Sequence, residues 1–129
     1  MKALPTWLDR EDCLAIHESM LAQHGGLSGI RDENMLESAL AKPRNLFVYD
    51  TPDIAAMAAS YAAGIILNHP FLDGNKRTGF MSSAAFLELN GHELTATETD
   101  AVIQTLALAA GALEESGYAA WLRANSRRA

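Results

Sequence analysis

Apolar residues in this chain recur at intervals of three and four, and each periodic stretch is bracketed by helix start and stop signals. Asp9 reads as the cap of a first helix reaching Gln23, with Leu14, Met20 and Leu21 turned inward and Gly25 closing it. Asp32 caps a second, which Pro43 is expected to end. Thr51-Pro52-Asp53 reads as cap, first-turn proline and first-turn acid of a third, in which Ile54, Met57, Ala58, Tyr61 and Ile65 repeat at helical spacing up to about Leu67. Pro70 disfavours helical geometry in the residue before it, so His69 falls just past a helix end. A fourth helix starts near Gly74 or Asn75, shows Phe80, Ala84 and Leu87 on one face, and stops near Asn90-Gly91. Thr97 opens a fifth, carrying Val102, Leu106, Ala109 and Leu113, and Ser116 a short last one that holds Trp121. Alternating strand patterns are scarce, and the β-prone stretch is Leu46-Phe47-Val48-Tyr49, between Pro43 and Pro52. The pattern predicts an all-α bundle of about six helices, with a short β-like flap near residues 44–51, in one domain spanning residues 1–129.

Composition narrows the class. At 129 residues and 49% hydrophobic, the chain suffices for one core that buries roughly 65–70% of the unfolded surface. A formal net charge of −6 and a pI near 5.1 argue against nucleic acid as the main partner, because phosphate backbones demand a basic face and Arg123, Arg127 and Arg128 are too few to supply one. The single cysteine, Cys13, has no internal disulfide partner and no evident activating neighbour, so it reads as core packing in a reducing compartment. No signal peptide or membrane-spanning run is visible, and the expected location is the cytoplasm. His17, His24 and His92 are scattered and read as structural or surface residues, and Met20, Met35, Met57 and Met81 as core filling.

The chemistry concentrates in His69 to Phe80, HPFLDGNKRTGF. A helix start after a glycine turn offers unpaired backbone N–H groups and the positive end of the helix dipole, a ready anion site. Lys76 and Arg77 in that first turn oppose the dipole unless an anion is bound. Asp73, just before the turn, suits a hard cation such as magnesium, which takes few carboxylates and completes its shell with phosphate oxygens. His69 is then the free base, an imidazole able to accept a proton from an attacking hydroxyl. Singly, each residue has a plainer explanation: a helix-end histidine, a turn, solvated charges, and Phe71 as a buried anchor. Jointly they point to phosphate handling, because a random loop seldom brings base, carboxylate, glycine turn and paired cations to one helix start.

These residues resemble the signature of the Fic/Doc superfamily: His, Pro, Phe, any residue, Asp or Glu, Gly, Asn, Gly, Arg, two of any type, Arg. His69, Pro70, Phe71, Asp73, Gly74, Asn75 and Arg77 match it. Lys76 stands where the AMP-transferring members have glycine, and Phe80 where they have the final arginine. Both departures, with the chain length and the Gly25-Gly26-Leu27 stretch, are similar to the Doc, or death-on-curing, branch of toxins.

The resemblance implies a compact Fic/Doc-like helical bundle and one of two reactions. AMP-transferring members present the α-phosphate of the nucleotide to a protein hydroxyl. Doc-like members with lysine at that position are kinases that hold the triphosphate reversed and move the γ-phosphate of ATP to a threonine of elongation factor Tu. A cation where glycine left space blocks one phosphate pose and pairs with another, and loss of the last arginine removes an anchor, so phosphoryl transfer is the expectation. AMP transfer and a non-catalytic nucleotide- or protein-binding module stay open. In the kinase case His69 is the base, Asp73 holds Mg2+, the Gly74 and Asn75 backbone cradles phosphate, and Lys76 and Arg77 neutralise the transferred group. By the same resemblance, Leu46, Phe47, Val48 and Tyr49 form a flap beside the active site that aligns the target through main-chain hydrogen bonds. The inhibitory pattern of many Fic proteins (Ser or Thr, three residues, Glu, then Gly or Asn) is absent from the sequence. Restraint by a separate Phd-type antitoxin, whose disordered tail folds on binding, is therefore expected.

Overall fold

A computed structural model describes residues 4–129, and it is all-α with one small sheet. The order is α1 (Arg10–His24), α2 (Glu33–Tyr49), α3 (Ile54–Asn68), α4 (Asn75–Leu89), β1 (His92–Leu94), α5 (Glu98–Ala109), α6 (Glu115–Ala124) and β2 (Ser126–Arg128). The start signals at Asp9, Asp32 and Thr97 hold at atomic level, whereas α6 opens at Glu115, one residue before Ser116, with no side-chain cap. Asp9, Asp32, Asp53 and Thr97 each accept the backbone N–H of the third residue of the following helix, and Asp9 with Asp12 closes a reciprocal capping box. Asp53, not Thr51, caps α3, and the Arg123 guanidinium at 2.6 and 3.0 Å holds its carboxyl below the usual carboxylate range.

The hydrophobic α3 is the central element, with every residue from Ala55 to Ile66 buried except Ala56, which is half-buried. Small residues let its neighbours approach. A Cβ on Gly64 would lie 3.0 Å from Ala39 Cα of α2, and one on Gly79 of α4 would lie 2.5 Å from Ile66 Cγ1 of α3. Tyr61, Tyr118, Phe71 and Phe86 are the largest side chains in the sealed interior. Cys13 is fully buried, and burial pushes its thiol up to about 11, which keeps it protonated and unreactive at neutral pH.

Three expectations need correction. First, Pro43 does not end α2, which runs on to Tyr49. Leu36, Ala39, Leu40 and Pro43 form one buried face, and the close packing of α3 at Ala39 offsets the backbone bond that proline cannot make. Second, Leu46, Phe47, Val48 and Tyr49 are helical and form no flap, and the strands are β1 and β2, paired antiparallel as His92 with Arg128, Glu93 with Arg127 and Leu94 with Ser126. Arg44 and Phe47, one helical turn apart, both meet Trp7: the guanidinium sits 5.1 Å above its ring and Phe47 packs edge-on at 5.8 Å. That shared contact requires a helix and overrides local β propensity. Third, α5 ends at Ala109, before Leu113, and buries Ala101, Thr105 and Leu108 while Val102 and Leu106 stay half-exposed. The Thr105 hydroxyl shares a 2.9 Å hydrogen bond with the Tyr118 hydroxyl, which turns the narrow face of α5 to the core.

Candidate active site

The turn between α3 and α4 is built from backbone upward. His69 closes α3 as a left-handed residue (φ 49°, ψ 58°), its N–H on the Ile65 carbonyl at 3.2 Å. Among the described residues no other non-glycine residue has positive φ, a conformation that costs free energy unless its surroundings enforce it. Enforcement comes from residues 25–32. Arg31 N–H and Asp32 N–H donate to the Pro70 carbonyl at 2.7 and 3.1 Å, Leu72 N–H donates to Gly29 at 3.1 Å, and Ile30 bridges antiparallel to Phe71. Arg31 also spans two carbonyls with its side chain, Nε to His69 at 2.5 Å and Nη2 to Asn68 at 2.8 Å.

Phe71 is the buried anchor the sequence suggested. The Asn75 side chain bonds both of its backbone groups, accepting from Phe71 N–H and donating to Phe71 C=O, each at 3.0 Å. The amide of Asn75 is therefore occupied in closing the turn, and only its backbone is free for a ligand. Gly74, left-handed at φ 77°, precedes α4 without any side-chain cap. The first-turn N–H groups of Asn75, Lys76 and Arg77 thus lack a side-chain capping partner, as at the start of α6 and unlike the starts of α1, α2, α3 and α5.

Asp73 is solvent-exposed but held. Gly74 N–H donates to its Oδ1 at 3.1 Å and Leu27 N–H to its Oδ2 at 3.3 Å. Gly26 permits this approach, since a Cβ there would stand 3.0 Å from Asp73 Oδ2. The remaining lone pairs of a single carboxylate suit a metal that draws its other ligands from phosphate and water, and the described residues contain no cluster of three or more His, Cys, Asp or Glu side chains for a fully protein-bound ion.

His69, Asp73, Gly74, Asn75, Lys76 and Arg77 all line one cleft of about 880 Å³. Lys76 and Arg77 are exposed and form none of the ion pairs or side-chain hydrogen bonds found among the described residues. Two free cations on an uncapped helix start make the floor of the cleft attractive to a polyanion, despite the negative net charge. Phe80 and Met81 from α4 and Val102 and Leu106 from α5 add apolar lining to the same cleft, beside the polar Gln23, His24 and Glu98.

The four residues expected to form a flap lie elsewhere. They end α2 just before α3 begins, whereas His69 sits at the far end of α3, about 22 Å away at 1.5 Å per residue. Phe47 instead lines a second cleft with Pro52, Met57 and Arg123. The segment beside the site is residues 25–32. Sequence reading assigned Arg31 no place in the site, and His17, read as a structural or surface residue, proves to be structural and next to the turn. His17 is buried with Cys13 and Met20 on one face of α1, a position where a histidine needs a polar partner, and that was the available signal. Its ring stacks on Phe71 at 3.8 Å, and its Nε2 donates to the Asp73 carbonyl at 2.9 Å.

Comparison with known proteins agrees with the geometry. The model of the Fic/DOC family matches residues 7–87. The chain is 29% identical over 114 residues to Protein kinase doc of Escherichia phage P1, covering 88% of this chain and 90% of that protein. It is 35% identical over 92 residues to Toxin Doc of Mycolicibacterium smegmatis, covering 70% of this chain and 68% of that protein. With the match spanning α1 through most of α4, and thus the whole turn from His69 to Arg77, this chain belongs to the Fic/DOC family, in its Doc branch.

Proposed function

We propose that this chain is a Doc-like toxin that transfers the γ-phosphate of ATP to a threonine hydroxyl of a protein target, elongation factor Tu by resemblance, and so arrests translation. One observation carries the reading: Lys76 and Arg77 stand unpaired on the uncapped first turn of α4, in the same cleft as His69 and Asp73. The names of the two relatives, a protein kinase and a toxin, support it.

In this reading the acceptor hydroxyl gives its proton to the His69 imidazole as its oxygen attacks the γ-phosphorus. The bond from that phosphorus to the β–γ bridging oxygen breaks, and ADP leaves. Lys76 and Arg77 neutralise the equatorial oxygens of the group in flight, and the N–H groups at the start of α4 hold its neighbours. Asp73 would hold a magnesium ion, which supplies further charge neutralisation on the phosphates. Arg31 keeps His69 at its left-handed post, so the base is positioned before substrate arrives. A separate antitoxin of the Phd type is the proposed restraint, in the cytoplasm.

AMP transfer is the second reading, favoured by the left-handed Gly74 and by Pro70, both shared with the AMP-transferring pattern. Mass spectrometry of elongation factor Tu incubated with the protein and magnesium ATP separates the two. A phosphate mass on a threonine is expected, an AMP mass would move the assignment to adenylylation, and no added mass, on this target or in cell lysate, would leave a binding module.

A further inference from the structure

His17 reaches the proposed magnesium carboxylate without touching it. It is 6% exposed, beneath the turn. A carbonyl oxygen only accepts, so the 2.9 Å contact with Asp73 fixes the proton on Nε2 and makes the imidazole the donor. The 73–74 peptide is a rigid trans unit, so holding the Asp73 oxygen also sets the direction of Gly74 N–H. That N–H donates to Asp73 Oδ1 at 3.1 Å, while Leu27 N–H holds Oδ2. The ring itself lies flat on Phe71, 9° from parallel, and Phe71 is tied by both backbone groups to Asn75. An unbroken chain of bonds therefore runs from α1 to the orientation of the carboxylate.

We infer that His17 is a positioning residue of the site: its Nε2–H, acting through the 73–74 peptide, aims the Asp73 carboxylate at the metal–polyphosphate that enters the cleft. The inference rests on the phosphotransfer reading above. A buried histidine can also matter only by filling space, and two substitutions separate the roles. His17→Phe keeps an aromatic ring on Phe71 and removes the donor, whereas His17→Gln keeps a donor and removes the ring.

The experiment is calorimetric titration of wild type, His17→Phe and His17→Gln with sodium tripolyphosphate, with and without magnesium chloride, alongside the melting temperature of each. Groups that orient a metal ligand typically contribute tenfold or more in metal affinity. His17→Phe is thus expected to lose about tenfold in affinity when magnesium is present and little when it is absent, at near wild-type stability. His17→Gln is expected to bind close to wild type despite a lower melting temperature. Equal loss with and without magnesium, or affinity that follows melting temperature across the three proteins, overturns the inference. Wild-type binding with an unaffected His17→Phe removes the inference and leaves the phosphate site standing. A wild type that binds no tripolyphosphate removes the phosphate site and the inference with it.

Discussion

Arg31 grips His69 by the backbone: its Nε meets the His69 carbonyl at 2.5 Å while Nη2 takes that of Asn68, so a loop residue 38 positions earlier holds the last turn of α3 in its unusual conformation. Among the hydrogen bonds of the described residues, those that hold His69 are made through its main chain and none through its imidazole.

Replacing Arg31 by alanine should therefore slow transfer and spare nucleotide binding. A loss of about tenfold in kcat corresponds to about 1.4 kcal/mol, near the lower end for hydrogen bonds to charged groups. Lysine should restore little, because one ammonium does not reproduce a planar fork across two carbonyls. Calorimetry with ATP alongside transfer kinetics checks this, and a parallel loss of ATP affinity would show that Arg31 shapes the cleft rather than the base.

Lys76 bears on which phosphate is transferred. If its charge sets the pose, Lys76→Gly should weaken γ-phosphate transfer at least tenfold through loss of a charge-assisted contact. Together with Phe80→Arg, it should bring AMP transfer into view. Parallel assays with α- and γ-labelled ATP decide the matter, and γ-transfer by Lys76→Gly at the wild-type rate would remove lysine from the mechanism.

Alkaline pH should destabilise the fold. Burial raises the Cys13 thiol to about 11 and the Tyr61 and Tyr118 hydroxyls to about 12. In the unfolded chain these groups release protons near pH 9 and 10, so above that range the unfolded state binds fewer protons than the folded one and stability falls as pH rises. The melting temperature should be flat from neutrality to about pH 8.5 and decline beyond. Cys13→Ser should shift the start of that decline upward, and an unchanged profile would mean that the thiol titrates normally.

The orientation of α5 is open to a stability test. Leu108 is 1% exposed and Leu106 50% exposed. Leu108→Ala should cost about 2–5 kcal/mol, as buried leucines do. Leu106→Ala should cost well under half as much. Urea denaturation of both gives the comparison, and equal losses would place Leu106 in the core, as the periodicity alone suggests.

Local signals along the chain determined where helices start. Asp9, Asp32, Asp53 and Thr97 cap because a short side-chain oxygen finds a nearby backbone N–H, an interaction that spans three residues and needs no tertiary partner. The cluster from His69 to Arg77 was legible for the same reason, since a turn and a helix start place nine consecutive residues close together whatever surrounds them. The tertiary structure alone decided what lies across space. Pro43 stays within a helix because α3 packs against that turn, Phe47 is helical because Trp7 receives it beside Arg44, and α5 turns its narrow face inward because Tyr118 offers a hydroxyl. Residues 25–32, and not 44–51, border the turn, and His17, 56 positions before Asp73, sits beneath it. Such pairings carry no periodicity. They depend on which surfaces meet when the core closes, and the free energy of that burial exceeds the few tenths of a kcal/mol by which local propensities differ.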